Sequence, residues 1–150
     1  MLHAAQTINS LARLSSQVMG VFRVRVQVFS LKNPERREEV EMVVDTGAFR
    51  TVIPRSVADA LGVVSERRQT FRMINGEPME RDLGWIGISI AGESAHTMAI
   101  LGNPGDHAVL GALTLEELTL EVDPTRSRLR PLQDQDLLLL SMGEAQTAKA

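Results

Sequence analysis

The sequence predicts a mainly β fold, a small barrel or sandwich carrying two short helices. Three observations predict it. Val21 to Phe29 reads V-F-R-V-R-V-Q-V-F, with Phe22, Val24, Val26 and Val28 on one face and Arg23, Arg25 and Gln27 on the other. Strict alternation of this kind marks a half-buried strand. The other apolar runs are short and are broken repeatedly by Gly and Pro. Asn75-Gly76 stands between two of them, and that dipeptide is a strong hairpin signal.

Each element follows in order. Lys32 to Glu39 is a charged turn containing Pro34, and Val40 to Val44 is a second strand, so residues 21–44 read as a hairpin. Asp45-Thr46-Gly47-Ala48 ends that strand, and Thr51-Val52-Ile53 is a short extended piece. Pro54 opens a helix through Leu61 that Gly62 stops, the usual asymmetry of Pro at the start and Gly past the end. Thr70 to Ile74, the Asn75-Gly76 turn and Met79 onward read as another hairpin. Trp85 to Ile90 and His96 to Leu101 are further strands about a turn at Ala91-Gly92-Glu93. Gly102 to Asp106 is a loop, Ala108-Val109-Leu110 a short strand ending at Gly111, and Leu113 to Leu118 a short helix. Leu120 to Asp123 and Ser127 to Leu132 flank a turn at Asp123-Pro124.

Composition removes whole classes of function. The chain has 150 residues, a hydrophobic fraction of 43% and a charged fraction of 23%, which suits one globular domain. With four Phe, one Trp and no Tyr, the core must be aliphatic. Base-stacking nucleic-acid modules need aromatic platforms, and the net charge of -3 argues against phosphate binding as well. Arginine outnumbers lysine 14 to 2, but the arginines are scattered among glutamates and read as solvated, ion-paired faces. The absence of Cys excludes disulfides, thiol catalysis and zinc–thiolate sites. His3, His96 and His107 fall in no metal-binding spacing, so no metal and no cofactor is expected. No run reaches the roughly 18 apolar residues of a membrane span.

Residues 1–19 carry Leu2, Ala5, Ile8, Leu11, Leu14 and Val18 at spacings of three or four, an amphipathic helix rather than a signal peptide. A cytoplasmic location follows as the expectation, with Met19 open as an alternative start. The expected organisation is an N-terminal extension at 1–19, a domain at 20–132 and a tail at 133–150, polar except for Leu137 to Leu140.

One turn stands out chemically. Val43 and Val44 run apolar into Asp45, and Gly47 follows two residues later. A carboxylate at the end of a buried strand is costly unless something solvates or uses it. Thr46 can brace the turn with its hydroxyl, and Gly47 permits a sharp backbone turn that leaves Asp45 accessible. Local physics allows a second reading, an Asx-turn that merely caps the loop.

The surrounding pattern is more specific. V-V-D-T-G-A at Val43 to Ala48 is followed by Thr51, Val52 and Ile53; V-L-G at Val109 to Gly111 is followed by A-L-T-L-E-E-L, and a hairpin around Asn75-Gly76 lies between the two motifs. Over roughly Met19 to Leu132 the chain resembles the retropepsin-like, single-lobe aspartic proteases, prokaryotic members in particular.

The resemblance implies a small closed β-barrel with one or two short helices and a flap hairpin. It implies an aspartic endopeptidase whose catalytic residues are Asp45, Thr46 and Gly47, with Thr46 bonding across a dimer axis. Ala48, Arg50, Val52, Ile74, Asn75, Gly76 and Val109 would meet substrate, and Thr51, Leu110 and Gly111 would be structural. Ordinary core packing is the alternative for Val52, Ile74 and Val109, and Trp85, at the start of a strand, reads as core or rim packing rather than a substrate contact. Retroviral members often carry acidic residues where this chain has Phe49 and Arg50, and a Gly-rich flap tip where it has I-N-G-E-P-M.

The mechanism so implied needs two carboxylates sharing one proton, the charged one activating a water and the protonated one donating to the peptide carbonyl. This chain holds a single D-T-G turn. The second carboxylate must then come from another copy, and a two-fold homodimer supplies it. Its partner would be a protein or peptide substrate. Two other readings stay open: an inactive dimerisation or peptide-binding module of the same fold, and an unrelated small barrel in which D-T-G is coincidental.

Overall fold

Alternation along residues 23–29 puts Val26 and Val28 in the interior, and the next strand answers it: β1 (Arg23–Phe29) pairs antiparallel with β2 (Arg37–Val44), Val26 opposite Val40 and Val24 opposite Met42. The computed structural model describes residues 21–133. The expected helix at 1–19 and all of the expected tail except Gln133 lie outside them.

The remaining elements are β3 (Val52–Ile53), α1 (Arg55–Leu61), β4 (Arg67–Arg72), β5 (Pro78–Ile90), β6 (Glu93–Leu101), β7 (Val109–Leu110), α2 (Ala112–Glu117), β8 (Leu120–Asp123) and β9 (Arg128–Pro131). The large sheet runs β1-β2-β7-β3-β6-β5-β4, and β1 also pairs with β5. That pairing closes β1, β2, β7, β3, β6 and β5 into a ring, a small barrel with the β4–β5 hairpin extending from it. β8 and β9 form a separate two-stranded sheet. Among the described residues no helix is long and apolar enough to cross a membrane.

The interior is aliphatic, as the scarcity of aromatics requires. Val26, Val28, Met42, Val44, Ile53, Ile86, Ile88, Leu101 and Leu110 pack together within it, joined by Leu115 of α2 and by Leu118 at that helix's C-cap. A second, smaller cluster of Val52, Leu83, Ile100 and Val109 packs with Ala48, Phe71 and Met98. At roughly 1.5–3 kcal/mol per fully buried aliphatic side chain, these clusters dominate the stabilisation.

Helix α1 begins after Pro54 and ends at Gly62, which adopts a left-handed φ of 68° where a side chain would be strained. The sequence reading splits residues 79–90 into two strands, whereas β5 runs unbroken for 13 residues. Gly84, where that reading divides the strand, and Gly87, within its second half, are packing positions. A Cβ at Gly87 would lie 2.1 Å from the Phe29 ring, and one at Gly84 would lie 2.8 Å from the Val64 carbonyl oxygen. The β5–β6 turn is tighter than expected. Ala91 and Gly92 both have positive φ, 52° and 83°, and Ile90 pairs directly with Glu93, as a two-residue I′ turn demands.

The arginines on the sheet faces are ion-paired in many cases, with Arg23 on Glu41 at 3.5 Å and Arg68 on Asp82 at 3.3 Å. One pair is of another kind. Arg81 on β5 and Asp106 in the loop before β7 meet through two contacts, of 2.6 and 3.1 Å, with both side chains buried.

Candidate active site

The site is built where β7 inserts between β2 and β3. Val43 and Val44 lie parallel to Val109 and Leu110, while Val52 pairs antiparallel with Val109. The chain leaving β2 must therefore loop over β7 before β3 begins, and Asp45 to Arg50 form that loop. The Asp45 N–H donates to the Leu110 carbonyl at 3.1 Å, which ties the carboxylate-bearing residue to the second motif.

Within the loop, the Ala48 N–H donates to the Asp45 carbonyl at 3.1 Å, and the Gly47 N–H donates to Asp45 Oδ1 at 2.9 Å. Asp45 Oδ2 has no hydrogen-bond partner among the described residues. The Asx-turn of the local reading is thus present, and it holds the carboxylate with one oxygen engaged and the other open. The sequence reading has Gly47 permitting a sharp backbone turn. Its φ lies outside the left-handed region, and a Cβ there would stand 3.1 Å from Asp45 Oδ1, so glycine serves close approach. Thr46 is exposed, and its hydroxyl makes no hydrogen bond among the described residues.

The second motif locks this loop from beneath. The Gly111 N–H donates to Thr51 Oγ1 at 3.1 Å, and Thr51 Oγ1 meets Thr114 Oγ1 at 2.6 Å in the interior. Thr97 Oγ1 continues the chain to Glu117 at 2.8 Å. The first N–H groups of α2 have no side-chain cap. They are satisfied instead by the loop: Ala112 donates to the Ala48 carbonyl at 2.7 Å and Leu113 to the Phe49 carbonyl at 3.0 Å. A Cβ at Gly111 would sit 2.6 Å from the Arg50 carbonyl carbon, so only glycine lets the two segments touch.

A cleft of about 430 Å³ opens beside Asp45. Of the residues expected to act or to meet substrate, it gathers Asp45, Gly47, Ala48, Arg50, Val52 and Val109. Thr51, Leu110 and Gly111 are buried beneath it. Ile74, Asn75 and Gly76 do not line it. They occupy the β4–β5 turn, where Ile74 is 71% exposed and Gly76 has a φ of 87°.

Sequence reasoning assigned no site role to several lining residues: Phe49, Gln69, Phe71, Arg72, Met79 and Ile100. Gln69 and Phe71 carry a readable signal, since they alternate on one face of β4. Ile100 reaches the cleft through its register with Val52 and Leu83, which no local pattern encodes. Arg50 donates from Nη1 to the Met98 carbonyl at 3.1 Å, and its guanidinium lies 5.7 Å from the Phe49 ring centroid. Trp85, half exposed, pairs with Met98 outside the cleft.

A family model described as "gag-polyprotein putative aspartyl protease" matches residues 35–117, which contain the Asp45 loop, the β4–β5 hairpin and the Val109–Gly111 motif. No curated protein matches the chain. Among solved structures, the EIAV protease in complex with the inhibitor HBY-793 aligns with a TM-score of 0.52 at 16% identity, covering 69% of this chain and 92% of that one. The simian foamy virus (mac) protease aligns at 0.46 and 14% identity, covering 63% and 92%. A retropepsin-like aspartic protease from Rickettsia conorii aligns at 0.44 and 17% identity, covering 69% and 86%.

Proposed function

This chain belongs to the gag-polyprotein aspartyl protease family, and from that premise we propose that it is an aspartic endopeptidase that acts as a homodimer, with residues 20–132 as the protease unit. The observation that carries the proposal is Asp45 itself: a carboxylate held at the end of a buried strand, one oxygen fixed by the Gly47 N–H and the other open, beside a cleft with an apolar floor.

In this reading two Asp45 carboxylates face each other across a two-fold axis and share one proton. The charged one takes a proton from a water, whose oxygen attacks the peptide carbonyl carbon. The protonated one donates to the carbonyl oxygen. Collapse of the tetrahedral intermediate breaks the C–N bond and returns a proton to the leaving amine. The exposed Thr46 hydroxyl, without a hydrogen-bond partner among the described residues, would bond across the axis. The β4–β5 hairpin would close over the substrate as a lid and bring Ile74, Asn75 and Gly76 to it. Val52, Val109 and Ile100 would receive an apolar side chain.

The Asx-turn geometry also supports a second reading, a dimerisation or peptide-binding module that keeps the turn for structure. Cleavage of a diverse peptide library at several acidic to neutral pH values separates them. Wild type cleaves and Asp45→Asn does not if the protease reading holds. A wild-type dimer that cleaves nothing favours the module.

A further inference from the structure

The cleft is apolar at its floor and carries an excess of positive charge at its wall. Among the described residues Asp45 is the one carboxylate lining it, whereas Arg50 and Arg72 both do. Outside the cleft, Arg23, Arg25 and Arg68 have a carboxylate within 4 Å, while Arg36, Arg37 and Arg67 have none among the described residues. Among the described residues neither Arg50 nor Arg72 has one. Arg72 spends one contact on the Gly76 carbonyl at 2.9 Å. Arg50 is the better placed of the two. It is half-buried, its stem follows directly from the Asp45 loop, and its guanidinium is held between the Met98 carbonyl and the Phe49 ring. Among the described residues one hydrogen bond engages this group, which leaves most of its donors available to a ligand.

A fixed guanidinium with free donors is suited to bidentate recognition of a carboxylate, and its ordering cost is already met by Phe49 and Met98. We infer that Arg50 makes the cleft selective for peptides carrying an acidic side chain close to an apolar residue, the apolar group seated on Val52, Ile100 and Val109 and the carboxylate on Arg50. This inference rests on the protease reading for the place of the peptide, but its chemistry can be read separately from cleavage.

The experiment uses the full chain and a peptide library with apolar residues at the centre and Glu, Gln or Lys at each flanking position. Cleavage is scored with wild type, and capture of intact peptide with Asp45→Asn. Glu is expected over Gln by about tenfold at one flanking position, the scale of one charge-assisted contact at a half-buried site. Arg50→Lys weakens the preference, Arg50→Gln flattens it, and Arg50→Glu turns it toward Lys. Cleavage or capture with no acidic preference overturns the inference, as does an unchanged preference in Arg50→Gln and Arg50→Glu. Glu-dependent capture without cleavage supports the inference while rejecting the endopeptidase. Neither cleavage nor capture rejects both.

Discussion

The backbone N–H of Gly111 donates to the hydroxyl of Thr51 at 3.1 Å, a bond between residues 60 positions apart that joins the Asp45 loop to the strand inserted beneath it. Every other feature of the site depends on this seam: the Asp45 N–H on Leu110, the α2 N–H groups on Ala48 and Phe49, and the hydroxyl pair of Thr51 with Thr114.

Gly111→Ala is therefore expected to destabilise the fold without any strain in φ, which is -91°. The new Cβ would meet backbone atoms of Arg50 and Ala48 at 2.6 to 2.9 Å, and backbone cannot step aside as a side-chain tip can. The expected loss is about 1–3 kcal/mol, read as a lower urea midpoint. Thr51→Val preserves shape but strips the hydroxyl from a fully buried position, at a similar cost of about 1–3 kcal/mol. Thr51→Ser keeps both hydrogen bonds and should recover most of the loss.

The Arg81–Asp106 pair should be far more sensitive than any surface pair. Asp106→Asn leaves the Arg81 guanidinium buried without its counter-charge, an expected loss of about 3–5 kcal/mol. Adding Arg81→Met removes the orphaned charge and restores part of that stability, while the Asn103 N–H, 2.8 Å from Asp106 Oδ2, keeps an amide oxygen to bond. Chemical denaturation of the single and double variants measures the difference. A double variant less stable than Asp106→Asn would contradict the account. Exposed pairs such as Arg23–Glu41 should change stability by less than about 1 kcal/mol on truncation.

Acid should unfold the protein through two carboxylates outside the cleft. The hydrogen bond from Arg55, with help from Ser65 and Arg68 and against partial burial, holds Asp82 below the ordinary 3.8. Burial pushes Asp123 upward, but the side-chain and backbone hydrogen bonds of Arg126 outweigh it and leave the group below 3.8. A carboxylate with a lowered folded-state pKa stabilises above its unfolded value, and that stability is lost as pH falls through the folded value. The urea midpoint should then be insensitive to these groups above about pH 5 and fall below about pH 4. Asp82→Asn should make the acid limb shallower.

Local signals carried far into the fold because several elements are locally specified. Alternation at 23–29, the Pro54–Gly62 bracket of α1 and the Asn75-Gly76 turn each act over a few residues. What was not legible depends on register. The packing roles of Gly84 and Gly87 have no local signal, because the atoms filling their places, the Val64 carbonyl and the Phe29 ring, come from other elements. Ile100 enters the cleft only through pairing with Val52 and Leu83. The Arg81–Asp106 pair joins residues 25 apart with no motif around either. In the site, Asp45 and its loop were legible because strand, turn and glycine lie together in sequence. The hairpin residues 74–76, expected to meet substrate from a flap, stand outside the cleft in the single chain.

The central claim is that two copies of Asp45 make one catalytic centre, and mixing tests it most directly. Wild type and Asp45→Asn are denatured together in varied ratios at constant total concentration, refolded, and assayed on a peptide that wild type cleaves. The account predicts a dimeric mass at every ratio and a rate that follows the square of the wild-type fraction, since only dimers with two carboxylates turn over. A rate linear in the wild-type fraction, or an active monomer, would contradict it.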